Sequence, residues 1–138
     1  MTLVVDASVA CKWILAEADS ELARPLLESD EQLIAPVIIL AEIANVLRRC
    51  IRLGEIGEAQ ARYGMASVRV EIDHLEPLEG LVDAAFDLSI RMNHPVYDCL
   101  YLALARQQGC KMITADKQLA ARALSLKLGK FIRLLGAR

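Results

Sequence analysis

Apolar residues in this chain alternate between short continuous runs and longer segments with helical spacing. Short runs lie at residues 2–5, 33–35 and 110–114, and a helical segment follows each of them. Short apolar runs of this kind are typical of strands that are buried on both faces of a parallel sheet. The alternation therefore predicts an α/β fold: a three-layer α/β/α sandwich with a central parallel sheet of four to five short strands.

The rest of the chain completes this order of elements. Helical spacing of apolar residues predicts helices at residues 8–16, 19–29, 36–54, 57–69, 77–92, 95–108 and 117–127. Two further strands are predicted at residues 70–75 and near residues 131–134. Because no repeat, linker or low-complexity segment interrupts the order, we predict that residues 1–138 form a single domain.

Two acidic residues mark one edge of the predicted sheet. Pro95 suits the start of a helix, which places Asp98 in the first helical turn. Asp116 follows directly after the strand at 110–114. In a β–α–β unit, a helix begins at the edge where the strands end, and the ligand sites of open α/β sheets occur at that edge. Asp98 and Asp116 are therefore predicted to face one crevice.

Two more acidic residues stand out against apolar surroundings. Asp6 ends the first strand, and Glu42 lies in the helix predicted at 36–54, where few other residues near it are polar. A helix that is apolar on all sides is predicted to be buried. A lone buried carboxylate is costly unless it is paired or coordinated. Arg49 lies on the same helix face, so a Glu42–Arg49 ion pair is the structural alternative.

Four carboxylates are thus predicted at the same edge of the sheet: Asp6, Glu42, Asp98 and Asp116. Without a cation, carboxylates gathered in this way repel one another. Their oxygens suit Mg²⁺ or Mn²⁺, and such a site suits phosphoryl chemistry because the metal activates water and neutralises phosphate charge. Ser8 and Thr114 can add hydroxyl contacts. Neither histidine is predicted to act as a general base, and no glycine-rich phosphate loop occurs.

Composition and charge narrow the class of protein further. The 138 residues carry a formal net charge of −2, and 55% of them are hydrophobic. This apolar surplus indicates either a large helical core or a surface that a partner covers. No acidic residue follows Asp116, whereas basic residues are frequent there: Lys117, Arg122, Lys127, Lys130, Arg133 and Arg138. Lys117, Arg49 and Lys12 are candidates for contacts with the phosphates of a nucleic acid.

The cysteines and the lengths of the apolar runs indicate the cellular compartment of the protein. Four cysteines, Cys11, Cys50, Cys99 and Cys110, show no metal-binding spacing, and we predict that they are buried free thiols in a reducing compartment. The N-terminus lacks the features of a signal peptide, and no apolar run approaches the ~18 residues that span a bilayer. The sequence therefore predicts a cytoplasmic protein without membrane contact.

At these residues the chain resembles the PIN domain nucleases, and within them the VapC-type toxins of toxin–antitoxin pairs. The matching segments are VVDASVACKW, APVIILAEIANVL, HPVYDCLYLALA and ITADKQLA, which together span nearly the whole chain in order. The resemblance implies an endoribonuclease that depends on Mg²⁺, for which Mn²⁺ can substitute. It implies catalytic metal ligands at Asp6, Glu42, Asp98 and Asp116, and supporting polar residues at Ser8, Asn45 and Thr114.

The resemblance also implies three kinds of partner. The first is the RNA substrate, and the second is a cognate antitoxin that docks on the helices and blocks the site. The third is a second copy of the chain, which gives a homodimer and, with the antitoxin, a heterotetramer or larger assembly. The apolar surplus in the composition agrees with such covered surfaces without demonstrating them.

Other functions remain open at this point. One is a PIN-type nuclease that processes RNA without an antitoxin, and another is a non-catalytic, metal-binding module that interacts with RNA. Four intact acidic residues argue against the second. Other doubly wound proteins fit less well, because Asp6-Ala7-Ser8 lacks the second acid of a haloacid-dehalogenase motif. Asp73 is also a weak match to the phosphoacceptor of a receiver domain.

Overall fold

All strands in the part of the chain that the structure describes belong to one sheet. The computed structural model describes residues 1–137, so Arg138, the last basic residue of the C-terminal segment, lies outside the described residues. The strands are β1 (Thr2–Val5), β2 (Gln32–Pro36), β3 (His74–Glu76), β4 (Lys111–Thr114) and β5 (Ile132–Leu134). They lie in the order β3-β2-β1-β4-β5, and every neighbouring pair is parallel.

Helices fill the connections between the strands. They are α1 (Ala7–Ile14), α2 (Ser20–Ala23), α3 (Ile38–Arg52), α4 (Glu58–Glu71), α5 (Val82–Met92), α6 (Val96–Gln108) and α7 (Lys117–Ser125), with 3-10 turns at Arg24–Glu28 and Gly129–Phe131. Crossovers between parallel strands are right-handed. Connections that run from β1 towards β3 therefore cover one face, and those that return to β4 and β5 cover the other. The result is the three-layer sandwich that the sequence predicts.

The order of the strands creates a crevice between β1 and β4. The chain leaves β1 towards β2 on one side, and it returns to place β4 on the other side of β1. Helices α1 and α7, which follow β1 and β4, consequently diverge at the carboxyl ends of these two strands. Crevices at such switch points are the usual ligand sites of open α/β sheets. The central strands are fixed by burial, since Val4 and Met112 are both 0% exposed.

Helix α6, rather than α3, is the helix whose central residues are buried on all sides. Every residue from Cys99 to Ala105 is buried, because α6 lies on β1, β2 and β4 and is covered by α5. Helix α3 buries only one face, and Ala44 and Asn45 on its other face are exposed. The prediction of burial on all sides of residues 36–54 was therefore wrong. Small apolar side chains such as alanine carry little cost in water and do not force burial.

The segment predicted as a strand at 70–75 is mostly helical. Helix α4 continues to Glu71, and Val70 is 80% exposed. Strand β3 begins only at His74, after Asp73 has exchanged two hydrogen bonds with Leu33: the Asp73 N–H donates to the Leu33 carbonyl at 2.8 Å, and the Leu33 N–H donates to Asp73 Oδ2 at 2.8 Å. The apolar residues that suggested a strand are the last turn of the helix, where Ile72 packs into the core.

Smaller differences concern element ends and the surface. Residues 19–29 form α2 and a 3-10 turn, and Pro36 ends β2 instead of opening α3. Cys110 is half-buried, whereas the other three cysteines are buried, and all four are free thiols. Part of the apolar surplus lies on the outer side of α5, where Phe86 is 58% and Ile90 64% exposed. Within residues 1–137, no helix is both long and apolar enough to cross a bilayer.

Candidate active site

Asp6 is the most enclosed acidic residue of the crevice. It follows β1 in an extended conformation and caps α1: its Oδ1 accepts hydrogen bonds from the Val9 N–H at 3.1 Å and from the Ser8 hydroxyl at 2.6 Å. Its Oδ2 accepts a hydrogen bond from the Thr114 hydroxyl at 2.5 Å. The residue is only 6% exposed. Both carboxylate oxygens of Asp6 are therefore held in a fixed orientation.

The hydroxyls of Ser8 and Thr114 join the ends of β1 and β4. Ser8 Oγ accepts a hydrogen bond from the Ala115 N–H at 3.0 Å, and Thr114 Oγ1 accepts one from the Asp116 N–H at 3.0 Å. Each hydroxyl thus accepts a hydrogen bond from a backbone N–H of the turn after β4 and donates one to the Asp6 carboxylate. The structure brings these two predicted supporting residues against Asp6, and Thr114 is fully buried behind it.

Asp116 occupies the corresponding position after β4. Its Oδ1 caps α7, accepting hydrogen bonds from the N–H groups of Gln118 at 2.9 Å and Leu119 at 3.1 Å. Its Oδ2 lies 3.9 Å from Nε2 of His94, and its side chain is 36% exposed. One oxygen of Asp116 therefore serves the helix, and the other faces the crevice.

Asp98 lies in the first turn of α6, as predicted, and it has a histidine partner. Nε2 of His94 lies 2.7 Å from Asp98 Oδ2, and the His94 side chain is only 3% exposed. This contact of His94 was missed in the sequence, where the histidines were considered only as general bases. The spacing of His94 and Asp98 at the start of a helix carries the signal that could have identified this contact, since residues at i and i+4 are neighbours there.

Glu42 reaches the same crevice from α3, where its partner is Tyr101. The Tyr101 hydroxyl donates a hydrogen bond to Glu42 Oε1, and Tyr101 is 1% exposed. Among the described residues, no salt bridge joins Glu42 to Arg49, so the ion-pair alternative is not found. Tyr101 was missed in the sequence because an aromatic residue in an apolar helix is usually core. Its position one turn after Asp98, on the same side of α6, is the available signal.

These side chains line one cavity of about 430 Å³. All four predicted acidic residues contribute to it, together with six other polar or charged residues: Ser8, Lys12, Glu17, Asn45, Arg49 and Tyr101. Lys117 is exposed and does not belong to the lining. The Lys12 ammonium is held at the wall, where it donates to the Ala18 carbonyl at 2.7 Å and pairs with Glu17 at 3.4 Å.

Burial and the nearby charge of Asp98 raise the pKa of two of the acidic residues, Asp6 and Glu42. Burial raises the pKa of the Asp6 carboxyl to about 6, although hydrogen bonds from Ser8, Thr114 and the Val9 N–H oppose the shift, and the charge of Asp98 adds to it. Burial also raises the pKa of Glu42; the hydrogen bond from Tyr101 opposes this shift, and the charge of Asp98 increases it. Both carboxylates are therefore costly to ionise in the metal-free protein.

The donor set fits a hard divalent cation. Within residues 1–137, no lysine or arginine nitrogen lies within salt-bridge distance of the four carboxylates, although Lys12 and Arg49 line the same cavity. Potential ligand atoms of His94, Asp98 and Asp116 lie within 4.8 Å of one another. Carboxylate oxygens are the preferred ligands of Mg²⁺ and Mn²⁺. The cavity can therefore hold such an ion next to the ends of β1 and β4.

Comparison with known proteins decides the family. The family model for the PIN domain matches residues 3–124. The chain belongs to the PIN-domain family. This PIN domain is also 34% identical to the VapC ribonuclease Mb0985 of Mycobacterium bovis, over 86% of this chain and 88% of that relative. The resemblance to VapC-type PIN domains that the sequence motifs indicate is thereby confirmed.

Solved structures confirm the PIN fold. PAE2754 from Pyrobaculum aerophilum superimposes with a TM-score of 0.69 and 21% identity, covering 98% of this PIN domain and 90% of that chain. VapC20 from Mycobacterium tuberculosis, described as a toxin that cleaves the sarcin-ricin loop, gives a TM-score of 0.68 with 20% identity, covering 86% of this chain and 94% of its own. At these identities the likeness concerns the fold alone, and it agrees with the three-layer sandwich.

Proposed function

We propose that this PIN domain is a metal-dependent endoribonuclease that acts as the toxin of a toxin–antitoxin pair. The observation that carries the proposal is the cavity at the β1–β4 switch point, which gathers four carboxylates that form no salt bridge with a lysine or arginine within residues 1–137. Family membership supports RNA as the substrate, since the Mycobacterium bovis relative is named a VapC ribonuclease.

The proposed cofactor is Mg²⁺, for which Mn²⁺ can substitute. Asp6, Asp98 and Asp116 would hold it through the carboxylate oxygens that face the cavity, and Glu42 would hold it through a water that the ion retains. A bound ion of this type lowers the pKa of water and neutralises the charge that develops on a phosphate. Asp6 contributes an oxygen whose direction is fixed by Ser8 and Thr114, so little reorganisation is needed on binding.

Glu42 is the residue that we propose accepts a proton from the attacking water. Its Oε1 accepts the Tyr101 hydroxyl, which leaves Oε2 for the proton. Burial raises its pKa, which makes it a stronger base than a carboxylate in water. Asn45, one helical turn further along α3, lines the same cavity and can orient the water or the ribose.

Three basic residues are proposed to contact RNA phosphates: Lys12, Arg49 and Lys117. Arg49 is exposed at the cavity and can reach a phosphate directly. Lys12 is held by Ala18 and Glu17, so its charge is fixed in the wall. Lys117 begins α7, outside the cavity lining, and would contact a more distant phosphate. Such contacts give affinity that weakens as salt concentration rises.

The partners and location follow from the proposed toxin role. We propose a homodimer and a complex with a cognate antitoxin, a heterotetramer or larger, in the cytoplasm. The exposed apolar side chains Val82, Phe86 and Ile90 on α5 support a covered surface. The free thiols support a reducing compartment.

RNA cleavage in vitro tests this function. Purified protein is incubated with RNA in Mg²⁺ or Mn²⁺, or with EDTA, and the 5′ ends of the products are mapped. We expect discrete internal cleavage with either metal, none with EDTA, and none with folded Asp98→Asn protein. Equal cleavage by wild type and Asp98→Asn would exclude the site. Growth arrest on expression that a small neighbouring reading frame relieves would separate a toxin from an RNA-processing nuclease.

A further inference from the structure

His94 lies between two elements of the site and has both ring nitrogens engaged. It stands in the turn between α5 and α6, directly after Asn93, whose left-handed conformation (φ 49°, ψ 51°) ends α5. Its side chain is only 3% exposed. A buried imidazole must satisfy both nitrogens within the protein, so the partners of each nitrogen determine what the ring can do.

Arg122 of α7 determines which nitrogen carries the proton. Its guanidinium NH1 lies 3.0 Å from His94 Nδ1 and also donates to the Asn93 carbonyl at 2.5 Å. A guanidinium has only hydrogen-bond donors. Nδ1 must therefore act as the acceptor, and the neutral ring carries its proton on Nε2.

The opposite nitrogen then acts on Asp98. Nε2 lies 2.7 Å from Asp98 Oδ2, a distance at which the Nε2–H donates a hydrogen bond to the carboxylate. Because this nitrogen holds the proton, it has no lone pair to offer to a metal ion. Asp116 Oδ2, at 3.9 Å from the same nitrogen, is beyond direct hydrogen-bond distance. The ring therefore holds Asp98, and the second oxygen of Asp98 remains for the cavity.

We infer that His94 is a positioning residue that orients Asp98 for metal binding, and that Arg122 fixes the ring in the required tautomer. The inference rests on the metal site of the proposed function. It assigns a role to two residues outside the four acidic ones: His94 in the α5–α6 turn and Arg122 on α7. Partners that orient a metal ligand typically change metal affinity or activity by about 10-fold to 100-fold when removed.

Three variants distinguish a positioning role of His94 from a packing role. His94→Ala removes both hydrogen bonds. His94→Gln keeps them, because the amide nitrogen can donate to Asp98 and the amide oxygen can accept from Arg122. Arg122→Met removes the group that fixes the tautomer and leaves the imidazole in place. Arg106→Met is the matched control, since Arg106 is an exposed arginine on α6.

The experiment is a titration of each purified protein with Mn²⁺, followed by electron paramagnetic resonance of the free ion, with a thermal melt in EDTA beside it. We expect His94→Ala to weaken Mn²⁺ binding about 10-fold to 100-fold, and Arg122→Met to weaken it several-fold. We expect His94→Gln and Arg106→Met to stay within about threefold of wild type. A residue with only a packing role would lower the melting temperature and leave the dissociation constant of the folded protein unchanged.

Each outcome bears on one claim. If wild type binds no Mn²⁺, the proposed metal site is wrong. If wild type binds and His94→Ala binds equally well, only the role of His94 is overturned. A strong nitrogen hyperfine coupling from a coordinated imidazole in pulsed spectra would overturn it as well, because His94 would then be a ligand. If His94→Ala does not fold, Arg122→Met decides: unchanged binding overturns the inference.

Discussion

Two strand-to-helix turns stand side by side in this PIN domain, and they treat the same residue type differently. After β1, Asp6 caps α1 and also receives the hydroxyls of Ser8 and Thr114, and it is 6% exposed. After β4, Asp116 caps α7 with two backbone N–H bonds, and its side chain is 36% exposed. Both carboxylates end a parallel strand and begin a helix, yet only Asp6 is enclosed.

The difference in exposure between Asp6 and Asp116 distinguishes a requirement of the fold, which is helix capping, from a requirement of the site, which is an enclosed carboxylate. An exposed aspartate caps a helix well, as Asp116 does, so capping alone does not require the burial of Asp6. Burial raises the pKa of Asp6 to about 6, which means that its ionised form destabilises the metal-free protein. Such a loss of stability is typical of residues that are retained because activity requires them. The comparison therefore predicts that changes at the two turns have opposite effects on stability.

The largest effect is expected on cleavage by Asp6→Asn. Asparagine keeps the cap of α1 but removes a charged ligand of fixed direction. We expect RNA cleavage with Mg²⁺ to fall by about 100-fold or more, which corresponds to a loss of about 3 kcal/mol in transition-state stabilisation. Initial rates under substrate saturation measure it, with circular dichroism as the control for folding. Retention of near wild-type rates would show that the enclosed carboxylate is only structural.

The same variant is expected to be more stable than wild type without metal. The pKa of Asp6 rises from 3.8 to about 6 on folding. The stability that protonated Asp6 contributes is therefore full below the unfolded pKa and is lost as pH rises through about 6. The advantage of Asp6→Asn should grow between about pH 4 and about pH 6 and then level off, at no more than about 3 kcal/mol. Urea unfolding in EDTA measures it, and an advantage that does not depend on pH would contradict the explanation.

Thr114→Val tests the hydroxyl that connects the two turns. It removes the donor to Asp6 and the acceptor of the Asp116 N–H, so we expect the free energy of unfolding to fall by about 1–3 kcal/mol. The pKa of Asp6 should rise further, which moves the acidic limb of the pH–rate profile towards higher pH. Thr114→Ser keeps the hydroxyl and is the matched control. An identical profile for the valine and serine variants would argue against this connection.

The smallest effect on stability is expected at Asp116. Asp116→Ala removes the cap of α7 and should cost about 1 kcal/mol, whereas Asp116→Asn should cost a few tenths of that at most. Both changes should reduce RNA cleavage, because both remove the oxygen that faces the cavity. Thermal melts and cleavage rates of the two variants are compared. If Asp116→Asn stabilised the protein as much as Asp6→Asn does, the proposed difference between the two turns would be contradicted.

The sequence predicts those residues of the site that directly follow the ends of strands. Parallel strands carry their carboxyl ends to one edge, so Asp6 and Asp116 could be placed together from the order of elements alone. Asp98 followed from a helix start, because Pro95 and the first-turn acid mark it. The metal role of these residues stays a prediction until it is measured, whereas the fold and the PIN family are confirmed.

The contacts between helices could not be predicted in the same way. Tyr101 reaches Glu42 across two helices, and Arg122 reaches His94 from a third, so each contact depends on packing angles that local spacing does not contain. Burial of α3 was overestimated because alanine is compatible with both core and surface. The strand expected at 70–75 failed for a related reason: apolar residues in the last turn of a helix can match the pattern of a short strand.

The hydrogen bond between Thr114 and Asp6 joins two residues that are synthesised at very different times. Asp6 is among the first residues made, whereas its hydrogen-bond partner Thr114 and the cavity residues Asp98 and Tyr101 lie in the last third of the chain. Parallel strands that are distant in sequence pair late in folding, because the intervening chain must close first. A nascent chain on the ribosome therefore carries the acids without the cavity. Any cleavage activity is acquired only when synthesis is nearly complete.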